Sequence, residues 1–159
     1  MVSTTLCASL RQPPRGDHVT RALGIDLGSK RIGVAISDRT GTIASPLMVL
    51  QRTGSVKQDH ARIAALVVEE EAEFVVVGLP LNMNGSEGPA AKAAINEARQ
   101  LATVVGVPVE TFDERRTTVT ADQAMMEANM RAQARRRIVD KIAAAVMLQT
   151  WLDARAARR

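Results

Sequence analysis

ALGIDLGSKRIGVAISD, running from Ala22 to Asp38, holds two short apolar runs separated by a tight turn. The first, Ala22 to Ile25, delivers one acid, Asp26; Gly28-Ser29-Lys30 then turns the chain into the second, Ile32 to Ile36. This pattern predicts a β-hairpin with a carboxylate at its mouth. An acid at the end of a buried strand, two residues before a glycine-bearing turn, can face a metal ion or a phosphate while the strand keeps its backbone rigid. A lone Asp beside a glycine more often bonds its own turn backbone. Other acids arriving at the same place would decide between the two.

Outward from the hairpin, Gly41 opens a third strand, Thr42 to Leu50, so three consecutive strands joined by short turns form an antiparallel meander. On the other side, residues 1–20 carry Pro13-Pro14 and Gly16 without apolar periodicity, and read as a disordered leader rather than a signal peptide. Beyond a polar loop from Arg52 to Lys57, Ile63, Leu66 and Val67 recur at helical spacing within Ser55 to Glu71. Phe74 to Val77 is apolar without alternation, the mark of a strand covered on both faces. It leads into the loop Gly78 to Ser86, which contains Asn82 and Asn84. Ser86 is placed to cap a helix with Pro89 in its first turn and Ala91 to Val105 along it. Val107 to Phe112 is a fifth strand ending at Asp113-Glu114. A helix from Thr117 or Thr118 to Met130, a basic loop, and a last helix from about Arg137 to Ala154 complete the order. The fourth and fifth strands each follow a helix and should join the sheet in parallel through right-handed crossovers. The expected fold is α/β: one domain over residues 21–155, a five-stranded mixed sheet of three antiparallel and two parallel strands flanked by helices, with a basic tail at 156–159.

Ligands gather at the carboxyl ends of strands in such sheets. Asp26, the Asp113-Glu114 pair and Asp140 are therefore candidates for one site. The run Ile142 to Leu148 is apolar nearly all round and should lie flat on the sheet, leaving Asp140 about one turn from buried surface. A half-buried carboxylate needs a partner, and a divalent cation shared with other acids is one. A first-turn position, favoured by the helix dipole and paired with Arg136 or Arg137, is the alternative. Carboxylates without paired Cys or His suit Mg²⁺ or Mn²⁺ over zinc, since His18 and His60 stand apart.

The chain has 159 residues, enough for one domain with a real core, and no apolar run approaches a membrane span. One cysteine, Cys7, excludes an internal disulfide and points to the cytoplasm. Aromatic residues make up only 2%, so base stacking is not the main binding device. Of the net charge of +4, residues 130–159 contribute +6, and the remainder is slightly acidic. A basic end on a near-neutral domain suggests a polyanion partner.

Four blocks, GIDLGSKRIGVAISD, VVVGLPLNMNGSEG, FDERRTT and VDKIAAAVMLQTWLD, resemble the signature blocks of the YqgF/RuvX family in the same order, and together span nearly all of Ala22 to Asp153. That resemblance implies an RNase H-like fold related to RuvC resolvases. The family is described both as Holliday junction resolvases and as nucleases that mature the 5′ end of pre-16S rRNA. It also implies Asp26, Glu114 and Asp140 as catalytic, metal-holding acids for Mg²⁺ or Mn²⁺; Asp113, beside Glu114, is expected as an outer helper or substitute ligand. Lys30, Asn82, Asn84, Arg115, Arg116, Arg135, Arg136 and Arg137 are the expected nucleic-acid contacts, and junction cutting implies a homodimer. The first block also resembles the phosphate-binding hairpin of actin-like ATPases and sugar kinases, which use two such domains. A non-catalytic nucleic-acid-binding module would need the basic end alone.

Overall fold

A computed structural model describes residues 21–80, 84–113 and 132–158, with side chains in the last segment from Val139 onward. Strands β1 (Ala22–Leu27), β2 (Arg31–Ser37) and β3 (Ala44–Gln51) are followed by helix α1 (Val56–Glu69), strand β4 (Phe74–Leu79), helix α2 (Pro89–Val104), strand β5 (Val109–Asp113) and helix α3 (Ala132–Ala156). They form one five-stranded sheet in the order β3-β2-β1-β4-β5. The β1–β2 and β2–β3 pairs are antiparallel, whereas β1–β4 and β4–β5 are parallel. This is the expected mixed sheet, with β1 at its centre. The edge strand β3 tolerates Pro46 beside a shift of register at Val34/Ala35, since an edge position does not need every backbone donor.

Strand alternation divides the side chains between two cores. Leu23, Ile25, Ile32, Val34, Val75 and Val77 meet Ile63, Leu66 and Val67 of α1 and Ala98 and Leu101 of α2. On the opposite face Ala22, Ala35, Phe74 and Val76 meet Ala144, Met147, Leu148 and Trp151 of α3. The run Phe74 to Val77 is buried throughout, as its lack of alternation predicts. Gly24 and Gly33 lie on the α3 face. A Cβ on Gly24 would sit 2.9 Å from that of Leu148, and one on Gly33 would run into the backbone carbonyl of Asp140. Bare glycine therefore lets the helix axis approach the sheet this closely.

Two helix starts differ from the sequence expectation. Gly88, not Ser86, is the N-cap of α2, because Pro89 occupies the first helical position, where its missing N–H is no loss. Ser86 instead donates its hydroxyl (2.6 Å) and its backbone N–H (3.0 Å) to Asn84 Oδ1. Helix α3 begins at Ala132 rather than near Arg137. Ala, Gln and Arg are strong helix formers, so Arg135 and Arg136, expected in the basic loop, continue the helix ahead of Arg137. The helix expected between Thr117 and Met130 lies outside the described residues, as does the leader.

Candidate active site

Asp26 is the fifth residue of the six-residue β1, half-buried, and its register partner on β2 is Gly33. Directly opposed residues of an antiparallel pair share a face. Asp26 thus belongs to the α3 face, in line with Gly24 two residues before it. The chain turns at once: Gly28 N–H donates to the Asp26 carbonyl over 3.1 Å, and a Cβ on Gly28 would collide with the Arg31 carbonyl. The sequence signal of an acid delivered by a buried strand into a glycine turn is realised in this geometry.

Asp140 reaches the same place from above, since its backbone lies against Gly33, the residue opposite Asp26. The packing of α3 on the sheet is therefore what brings the two acids together. Asp140 stands about two turns inside α3, beyond the reach of the helix-end dipole, so the first-turn alternative does not hold. Its described partner is Arg31 of β2, whose Nε donates to Oδ2 over 2.6 Å; the two side chains are 26% and 28% exposed.

Asp113 ends β5 opposite Leu79. By alternation it falls with Val109 on the α1/α2 side, while Phe112 packs with the α3 core. Strand β4 separates it from β1, which puts the two backbones about 10 Å apart at ordinary strand spacing. Among the described residues, no three His, Cys, Asp or Glu side chains form a metal-holding group. Glu114, Arg115, Arg116 and Asn82 lie outside the described residues. Lys30 is exposed in the β1–β2 turn and Asn84 is exposed before α2; the latter's amide oxygen accepts from Ser86, the local bonding expected of a turn Asn. Arg135, Arg136 and Arg137 occupy the start of α3, the end that leads to Asp140.

A second network braces the turn from the opposite face. Arg52 donates through Nε to the Gly28 carbonyl (2.9 Å) and through both terminal nitrogens to Glu97 of α2 (2.7 and 3.0 Å). His60 Nε2 lies 3.1 Å from the same carboxylate, and Thr53 donates its N–H and hydroxyl to buried Asp59. Burial opposes ionisation of Glu97, yet the hydrogen bonds and charge of Arg52, with the His60 contact, hold its carboxyl below the ordinary range. Asp59 behaves likewise: burial works against its charge, and the Thr53 bonds and nearby Arg52 prevail. The fork on Glu97 in turn raises the Arg52 guanidinium. Sequence reading took Arg52 for a loop residue and gave Arg31 no role. Alternation along β2 does place Arg31 on the Gly33 face, but nothing local signals the Arg52–Glu97 pair, 45 residues apart.

A cavity of about 540 Å³ opens beside Phe74, Phe112, Trp151 and Arg155, and its lining includes neither Asp26 nor Asp140. Asp26, half-buried at the end of the central strand, and Asp140, 28% exposed, stand apart from that cavity. No helix among the described residues is long and apolar enough to cross a membrane.

Comparison with known proteins bears on the domain as a whole. A relative from Myxococcus xanthus, named as a candidate pre-16S rRNA nuclease, is 48% identical over 134 residues, covering 84% of this chain and 88% of its own. One from Mycobacterium sp. (strain KMS), with the same name, is 46% identical over 146 residues, covering 91% and 84%. Thermus thermophilus RuvC, solved in complex with a Holliday junction substrate, superposes with a TM-score of 0.52 at 19% identity, covering 87% of this chain and 95% of that one. At that identity the likeness shows the fold, a single RNase H-like α/β domain. The profile described as RuvX, Holliday junction resolvase, matches residues 20–154, and so takes in the Asp26 hairpin, the central strand and the Asp140 helix alike: the chain belongs to the RuvX family.

Proposed function

We propose that this chain is a metal-dependent endonuclease that cuts phosphodiester bonds in structured nucleic acid in the cytoplasm. The observation that carries this reading is the convergence of Asp26 and Asp140 on one face of the sheet, through Gly33. Hard carboxylate oxygens suit Mg²⁺ or Mn²⁺, with Asp26, Asp140 and Glu114 as the holders. A divalent ion bound there supplies an activated water and steadies the leaving oxygen of the cut strand. Alternation turns Asp113 toward the other face, which favours Glu114 over Asp113 as the third acid and leaves Asp113 an outer helper. The chain's own part is to hold Asp26 on a rigid strand, to set Asp140 over Gly33 and to keep the turn fixed through Arg52.

Lys30, Asn82, Asn84, Arg115, Arg116 and Arg135 to Arg137 contact the phosphates flanking the cut, because a group of carboxylates repels a polyanion unless cations stand beside it. Replacing Arg135, Arg136 and Arg137 together with Ala should lower the salt slope of binding by up to about three units, roughly one per contact. An unchanged slope would make that run a solvated helix face.

The names of the curated relatives favour the precursor of 16S rRNA as substrate, and the family description favours a four-way DNA junction. Paired cuts in a junction require two sites facing two strands, hence a two-fold dimer, whereas trimming an RNA end requires one. Synthetic junctions, duplex DNA and precursor RNA incubated in parallel with Mg²⁺, Mn²⁺ or EDTA test the proposal, with sedimentation of the same samples. Cleavage of precursor RNA or junction, abolished by EDTA, is expected. No cleavage of any of them, or cleavage indifferent to EDTA, would sink the reading.

A further inference from the structure

We infer that Arg31 is a resident counter-cation for Asp140, holding that carboxylate in the metal-free chain and releasing it to a divalent ion, after which its guanidinium takes a phosphate oxygen of the nucleic acid. This rests on the reading of Asp26 and Asp140 as metal holders. Alternation along β2 puts Arg31 on the same face as Gly33, the register partner of Asp26, and its Nε reaches Asp140 Oδ2 at 2.6 Å. Two carboxylates converging on one face repel each other, and a cation lodged beside them relieves that repulsion.

Comparison with Arg52 shows why this contact is exchangeable. Arg52 is spread over three bonds, two to Glu97 and one to the Gly28 carbonyl, with its side chain 16% exposed. Among the described residues, the Arg31 side chain has one polar contact, through a single nitrogen to a single oxygen, in a pair about one quarter exposed. Such a rim pair gives way without leaving a buried charge unpaired. A guanidinium does not lose its proton, so Arg31 yields by moving, and the fork it then presents matches a phosphate.

Metal-stripped full chain, Arg31→Gln and Arg31→Lys are titrated with Mn²⁺ by calorimetry, and their binding to a synthetic four-way junction is followed against salt. Arg31→Gln should bind Mn²⁺ about fivefold more tightly than wild type, since the Arg31 guanidinium then no longer competes for Asp140, a change of about 1 kcal/mol. Its junction salt slope should fall by about one unit. Arg31→Lys should keep wild-type affinity and slope to within about twofold. Unchanged or weaker Mn²⁺ binding by Arg31→Gln, or a Lys variant that behaves like the Gln one, overturns the inference. A Gln variant that folds only with Mn²⁺ supports it, and one that stays unfolded with Mn²⁺ shows a structural arginine and overturns it. The underlying reading fails separately: wild type would then show no Mn²⁺ binding that Asp26→Asn removes.

Discussion

Asp26→Asn should lower phosphodiester cleavage by more than about 100-fold while the fold stays intact. Losing even the partners that orient metal ligands costs about 10- to 100-fold, and on the proposed reading this substitution removes the charge of a ligand itself. Asn keeps nearly the same shape, and Asp26 stands half-buried at a strand end, not inside either apolar core. The circular dichroism spectrum should match wild type and the melting temperature should move by a few degrees at most. Binding of precursor RNA or junction should hold or tighten, because one negative charge leaves a surface that meets phosphates. Full cleavage by the variant would remove Asp26 from the chemistry.

Gly33→Ala should be damaging out of proportion to one methyl group. The added Cβ would run into the carbonyl carbon and oxygen of Asp140, which are backbone and cannot rotate aside. Either α3 lifts from β2 or the strand shifts; forced overpacking of this kind costs about 1–3 kcal/mol. Activity should fall further than stability, since the displaced residue is Asp140, one of the proposed metal holders, and a misplacement of about 1 Å in a catalytic constellation can cost about 100-fold. Denaturant melts give the first quantity, and cleavage at a temperature where the variant is fully folded gives the second. A variant with wild-type stability and rate would mean that α3 does not depend on a bare Gly33. The Arg52 brace makes a useful contrast, because it acts on the turn from the α1/α2 side and never touches Asp140.

These two residues also show what could be read from the chain and what could not. The hairpin carrying Asp26 was legible because apolar runs and a glycine turn are local signals. The doubly covered strand Phe74–Leu79 was legible because it lacks alternation. The start of α3 was not, since Ala132 to Arg137 carry no capping residue and no apolar rhythm to mark a boundary. Ser86 was a plausible cap by type, but Pro89 at the first helical position settled the matter in favour of Gly88. The ion pair between Arg31 and Asp140 joins positions 109 apart, so it exists only once α3 has packed on the sheet. Gly33 reads as a strand glycine, and its use as the seat of Asp140 depends on that same packing.

Whether Asp26 and Asp140 hold one divalent ion between them is tested most directly by titrating Mn²⁺ into the metal-stripped full chain and into Asp26→Asn and Asp140→Asn by calorimetry. The expected result is saturable binding by wild type that is lost in both variants while their circular dichroism stays native. Equal saturable binding by all three proteins would contradict it.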